Sequence, residues 1–213
     1  PKSRNQETYI DLLSDPSKLI VFATGPAGTG KTMLAVLAAM RAFRAGECNK
    51  IIITRPAVGV DDEKHGFLPG DLNAKMEPWT RPVFDALSRF YTHKQINDMM
   101  FNKIVEICPM AYMRGRTLND AFIILDEAQN TSAEQMKMFL TRLGFNSTMV
   151  ITGDVTQVDL PTGTTSGLRV VRDILSELED VAFCDLSSQD VVRHRLVGQI
   201  VDAYSRFDES HAD

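Results

Sequence analysis

A chain of 213 residues with 44% hydrophobic content is long enough to bury a sizeable core, and it reads as one domain spanning 1–213. Its net charge of −5 disfavours a broad electrostatic surface for nucleic acid and leaves such a role to local patches. No apolar stretch reaches the length of a membrane span, because the longest are cut by Arg41, Arg44 or a glycine-rich loop, so no membrane role is expected.

The chain begins at Pro1 without a charged-then-apolar leader, which reads as a cytoplasmic protein or as a processed piece of a longer one. Cys48, Cys108 and Cys184 are odd in number, widely separated and without metal-ligand spacing from the four histidines, so they read as core or surface thiols. Residues Pro1 to Arg4 and Asp208 to Asp213 are polar and expected to fray.

The first apolar run, Leu19-Ile20-Val21-Phe22-Ala23, predicts a strand and leads directly into Gly25-Pro26-Ala27-Gly28-Thr29-Gly30-Lys31-Thr32. This is the pattern and context of a phosphate-binding P-loop. Glycines at 25, 28 and 30 let backbone N–H groups approach phosphate oxygens that a Cβ would keep away, and the following helix points its N-terminus at the anion. Lys31 supplies a mobile point charge for the β- and γ-phosphates, and the Thr32 hydroxyl suits a Mg²⁺ coordination position.

Met33, Leu34, Leu37, Ala38 and Met40 continue as a helix through Ala45, with Gly46 suited to cap it in the left-handed conformation. Lys50-Ile51-Ile52-Ile53-Thr54-Arg55 is β-branched and nearly continuously apolar, as a parallel strand covered on both faces requires. From Val58 to Met110 the pattern loosens, with several glycines and prolines and a helix through Phe84, Leu87, Phe90 and Tyr91. This region, about 58–110, reads as an irregular, lid-like excursion.

Ala121-Phe122-Ile123-Ile124-Leu125 is another buried strand, and it ends in Asp126-Glu127, the arrangement called Walker B. Asp126 would hold Mg²⁺ and Glu127 would orient and deprotonate an attacking water. Alone, a strand ending in two acids is a weak signal, since acids often begin helices. Coupled to a P-loop, it points to hydrolysis rather than binding alone. The next helix carries a capping-box pattern at Thr131 and Glu134, an apolar side at Met136, Phe139, Leu140 and Leu143, and Gly144 as its stop.

Thr148-Met149-Val150-Ile151-Thr152 is the fourth strand, followed by Gly153-Asp154-Val155-Thr156-Gln157. The Gln157 amide is a candidate sensor of the γ-phosphate, while a solvated turn glutamine fits the spacing equally well. Leu168, Val171, Leu175 and Leu178 predict a helix, and Val181-Ala182-Phe183-Cys184 a fifth strand. At least five strands alternating with helices argue for an α/β fold, a doubly wound, mostly parallel sheet whose ligands sit beyond the carboxyl ends of its strands.

Six motifs together resemble the PhoH family of phosphate-starvation-inducible ATPases over nearly the whole chain. They are the P-loop at 25–32, Glu63-Lys64-His65-Gly66-Phe67-Leu68-Pro69-Gly70, Arg114-Gly115-Arg116-Thr117-Leu118, Asp126-Glu127-Ala128-Gln129-Asn130, Gly153-Asp154 through Pro161, and Asp190-Val191-Val192-Arg193-His194. The chain departs from the family pattern at His65 and at Arg195, neither in the phosphate machinery. The resemblance implies a P-loop NTPase of RecA/helicase-like type, using ATP and Mg²⁺ and acting on RNA or another single-stranded nucleic acid. It implies that Gln6 selects adenine and that Thr54-Arg55 lies where helicase domains touch a nucleic-acid backbone.

Helicases of this resemblance complete the site with an arginine from a second core, for which this chain is too short. A homo-oligomer, a ring in which neighbours complete each site, is therefore expected. Arg193 is the first arginine candidate, followed by Arg114, Arg116 and Arg169, although a surface ion pair is the commoner fate of any one of them. The alternative function is an ATP-dependent switch or assembly factor acting on protein partners.

Overall fold

The apolar runs become strands because only a sheet covered on both faces can bury them. These are β1 (Ile20–Thr24), β2 (Lys50–Arg55), β3 (Val105–Pro109), β4 (Ala121–Leu125), β5 (Thr148–Gly153) and β6 (Val181–Asp185). The computed structural model describes residues 1–57 and 80–211. In them the strands form one sheet ordered β3-β2-β4-β5-β1-β6, with every pairing parallel.

Alternation along each strand sorts the core into two layers. Val21, Ile51, Ile53, Ile124 and Val150 face one side, under α1 (Arg4–Ser14), α2 (Lys31–Arg44), α3 (residues 80–87) and α4 (His93–Phe101). Phe22, Ile52, Ile123, Met149 and Ile151 face the other, under α5 (Ala133–Leu140) and α6 (Gly167–Leu175). The sheet is therefore doubly wound, as its sequence pattern predicts.

Register then aligns the strand ends. Thr24 lies opposite Gly153 in β5, Leu125 opposite Ile151, and Thr54 opposite Leu125. Four loops, beginning at Gly25, Pro56, Asp126 and Asp154, consequently leave the sheet along one edge.

The structure differs from the sequence reading in several places. Residues 58–79 of the expected excursion lie outside the described residues; the helix expected through Phe84 and Leu87 is present as α3 but ends before Phe90 and Tyr91, while α4 and the edge strand β3 replace the irregular chain expected after it. β3 escapes a periodicity search because it is five residues long, carries Glu106 inside it and ends on Pro109. The capping box belongs to Ser132 and Gln135, one residue later than expected, because the Thr131 hydroxyl donates instead to the Ala128 carbonyl at 2.7 Å. The helix stops at Leu140 with Thr141 as its cap, well before Gly144. The N-terminal segment is helical almost from its start, since the Ser3 hydroxyl accepts from the Gln6 N–H and Tyr9 is fully buried with its hydroxyl donating to the Lys31 carbonyl at 2.8 Å. Asp208 to Ser210 form the last turn of α7 (Arg195–Ser210) rather than a frayed end.

α7 buries none of its residues. Leu196, Val197, Ile200, Val201, Tyr204 and Phe207 form an apolar face that stays open to solvent.

All three cysteines are buried and unpaired. Burial pushes the Cys108 thiol up to about 12 and the Cys184 thiol up to about 11, with the Glu106 and Asp185 carboxylates adding to burial in turn, and burial also raises Cys48. Because the thiolate is the reactive form, the native chain at pH 8 should show no rapidly reacting thiol toward an aromatic disulfide reagent, and all three should react once it is unfolded in denaturant. A thiol titrating within seconds in the native chain would contradict this packing.

Candidate functional site

The loop after β1 is shaped by glycines at two places, one by close approach and one by backbone conformation. The Gly25 N–H donates to the Gly153 carbonyl at 3.1 Å, and a Cβ on Gly25 would stand 2.5 Å from the Leu186 carbonyl oxygen. Gly30, at φ +83°, opens α2 in the left-handed conformation without a side-chain cap, so the N–H groups of the first turn are directed at the loop's concavity. Pro26, Ala27 and Gly28 form the outer rim, while Thr29 is buried and ties the loop by donating to the Pro26 carbonyl at 2.9 Å.

The Lys31 ammonium lies inside this loop, donating to the carbonyls of Gly25 at 2.6 Å and Pro26 at 2.8 Å. Burial lowers its pKa, opposed by the carboxylates of Asp154, Asp126 and Glu127. Those acids come from the neighbouring strand ends that the register brings alongside.

Asp126 collects donors from three elements. Its Oδ1 accepts from the hydroxyls of Thr32 and Thr152, each at 2.9 Å, and its Oδ2 accepts from the Arg55 guanidinium at 3.0 Å. Thr32 and Asp126 thus present hard oxygens side by side, a donor set that fits Mg²⁺. Among the described residues no three His, Cys, Asp or Glu side chains converge into a cage.

Glu127 takes a left-handed backbone at φ +54°, a sparsely populated region for a residue with a long side chain. Gln129 holds it there. This side chain is 1% exposed, and its Nε2 donates to Glu127 Oε2 at 2.5 Å while its Oε1 accepts the Asp154 N–H at 3.1 Å. The same Nε2 reaches the Gln157 carbonyl at 3.5 Å. Gln129 therefore joins the acid after β4 to the loop after β5. The Gln157 side chain itself is exposed, and among the described residues it makes no hydrogen bond.

Gln6 packs beneath the P-loop. Its Nε2 donates to the carbonyls of Thr29 at 2.9 Å and Asp190 at 3.4 Å, and its Oε1 accepts the Lys2 N–H at 2.7 Å. Both ends of the amide are engaged by the chain, so contact with a base edge requires exchange of these bonds.

The arginines separate clearly. Arg116 forms a paired-fork ion pair with Glu106 at 2.8 and 3.0 Å, and Arg169 donates to the Val155 carbonyl at 2.8 Å, so both are committed to their own chain. Arg114 and Arg193 are exposed. Arg193 follows Val192, whose N–H donates to the Gly28 carbonyl at 3.0 Å, and therefore stands beside the P-loop rim. Lys64 and His65 lie outside the described residues.

Three residues of this cluster were not singled out for the site from sequence: Thr152, Gln129 and, as a partner of the acids, Arg55. Gln129 had a signal, two positions past Glu127 inside a quoted motif. Thr152 had only its place at a strand end, and Arg55 was expected against a nucleic-acid backbone, whereas the structure pairs it with Asp126.

A family model described as "PhoH-like protein" matches residues 1–205. The chain is 56% identical over 209 residues to a PhoH-like protein of Mycobacterium tuberculosis (strain CDC 1551 / Oshkosh), covering 98% of this chain and 58% of that protein. It is 52% identical to a PhoH-like protein of Synechocystis, covering 96% and 62%, and 44% identical to Protein PhoH of Escherichia coli (strain K12), covering 95% and 58%. The chain thus spans about three-fifths of the length of these relatives. Among solved structures, the Pif1 helicase from Candida albicans resembles it with a TM-score of 0.45 at 13% identity, covering 95% of this chain and 42% of that one.

Replacing Gln129 with Leu leaves the buried Asp154 N–H and one Glu127 oxygen without their partner. The cost should be about 1–3 kcal/mol of folding stability, measured by denaturant titration. A loss under a few tenths would mean that the tether does not hold the loop.

Proposed function

The chain belongs to the PhoH-like protein family, and on that premise we propose that it is an ATPase that hydrolyses ATP with Mg²⁺ and couples hydrolysis to RNA or another single-stranded nucleic acid. The observation that carries this reading is the Thr32–Asp126 contact at 2.9 Å, which joins the helix after the P-loop to the acid after β4. The glycine-rich loop and the acidic pair thereby meet at one edge of the sheet.

In this reading the N–H groups of the P-loop and the Lys31 ammonium take the phosphate oxygens, the ammonium exchanging the Gly25 and Pro26 carbonyls for anionic partners. Thr32 and Asp126 would hold the magnesium ion, which supplies charge neutralisation at the phosphates when bound. Glu127, pinned by Gln129, orients a water and accepts its proton. Gln157 lies in the loop that Gln129 ties to Glu127, which suits a sensor of the terminal phosphate. Gln6 supports the loop from below and is proposed to contact the adenine.

A homo-oligomer, in which neighbouring copies share sites, is supported by two features on adjacent stretches. Arg193 is exposed at the rim of its own P-loop, and α7, beginning two residues later, offers a second copy an open apolar face. That same face and the net charge of −5 favour the second reading, an ATP-dependent switch acting on protein partners.

The test is phosphate release against protein concentration, with and without single-stranded RNA at two salt concentrations. Glu127→Gln should retain nucleotide binding and lose about 10²–10⁴-fold in rate, whereas Lys31→Ala should lose nucleotide binding. RNA stimulation that falls steeply with salt supports the nucleic-acid reading, because released counterions set the slope. Rate that depends on concentration yet ignores RNA supports the switch. Mixing Arg193→Ala with Lys31→Ala chains should give rates that depart from the weighted mean if sites are shared, and rates that follow it if they are not.

A further inference from the structure

Arg55 closes β2, and its guanidinium is 3.0 Å from Asp126 Oδ2 and 4.0 Å from Glu127 Oε1. We propose that Arg55 is an exchangeable counter-ion of the acidic pair: it holds Asp126 in the nucleotide-free chain and swings to Glu127 when Asp126 is given over to the divalent cation of a bound nucleotide. The proposal rests on the nucleotide-binding reading above.

The two oxygens of Asp126 are engaged in different ways. The hydroxyl donors on Oδ1, Thr32 and Thr152, are compatible with a nearby cation, because a hydroxyl that donates its proton keeps lone pairs for coordination. Oδ2 carries a guanidinium, which is already a full positive charge. A divalent ion beside Thr32 would face that charge across a single carboxylate, in a place where only 28% of the Arg55 side chain and 14% of the Asp126 side chain meet solvent. Screening by water is weak there, so the two cations compete for Asp126.

The geometry also supplies the second position. The guanidinium nitrogen that bonds Asp126 is the one that stands 4.0 Å from Glu127, so a small turn of the side chain transfers it. Glu127 waits in a fixed place, since its other oxygen is held by Gln129 at 2.5 Å and its backbone is locked at φ +54°. In the resting chain Arg55 relieves the repulsion between adjacent carboxylates. After the exchange it balances Glu127.

The experiment compares the unchanged chain with Arg55→Met and Arg55→Lys. Binding of Mn²⁺ in the presence of a non-hydrolysable ATP analogue is read by electron paramagnetic resonance, and binding of the analogue is also measured in chelator. Arg55→Met should bind Mn²⁺ about ten-fold more tightly, Arg55→Lys should fall between, and analogue binding in chelator should stay within about two-fold. Thermal unfolding gives a readout free of nucleotide: Arg55→Met should melt lower than the unchanged chain without divalent ions and recover most of the loss in millimolar Mg²⁺. If Arg55→Met fails to fold, the shift in Arg55→Lys decides by the same sign. Equal or weaker Mn²⁺ binding in the variants overturns the exchange. Failure of the unchanged chain to bind the analogue at all overturns the parent reading and this inference with it, an outcome distinct from binding with an unaltered ratio.

Discussion

One carboxylate organises this site. Asp126 accepts hydrogen bonds from Thr32 on α2, Thr152 on β5 and Arg55 on β2 while itself following β4. Bonds of this charge-assisted kind contribute about 1.5–3 kcal/mol each, and leaving a half-buried carboxylate without them costs at least as much. Four separate parts of the chain are therefore held to one another through a single side chain.

That constraint works only because the sheet is parallel and in register. Had β4 slipped by one residue against β5, Leu125 would face the other layer and Asp126 would leave the reach of Thr152. The two-layered core, with Ile123 and Ile151 on one face and Ile124 and Val150 on the other, makes such a slip costly because every side chain would change faces. Core packing and site geometry are thus the same requirement seen at the middle and at the end of the strands.

Around Asp126, polar side chains divide into those that build and those left open. Gln129, Thr29, Asp190 and Gln6 are buried and spend their hydrogen bonds on joining loops. Gln157, Arg114 and Arg193 remain exposed at the rim. A buried amide such as Gln129 is costly to leave unsatisfied, so it rigidifies what it touches, and here it touches the strained Glu127. Rigid placement of that acid is what its proposed work with water requires.

Much was legible in the linear chain because the chemistry is local there. The P-loop glycines, the Lys31–Thr32 pair and the strand ending in Asp126-Glu127 each lie in one uninterrupted stretch whose backbone demands can be read residue by residue. Five of the six strands were visible for the same reason, while β3 was hidden by its shortness, its internal Glu106 and its place at the edge. The capping box slipped by one residue because Thr131 and Ser132 compete for the same role and only the turn at Ala128 settles which hydroxyl is free. What the sequence by itself determined is which residues compose the candidate site, since the glycine loop leading to Lys31-Thr32 and the Asp126-Glu127 pair each directly follow a strand and carry backbone demands that are local. Only the tertiary structure decided who attends whom: that Gln129 grips Glu127, that Arg116 is spent on Glu106 and that Arg55 faces the acids, since these contacts span loops whose meeting depends on strand order and register.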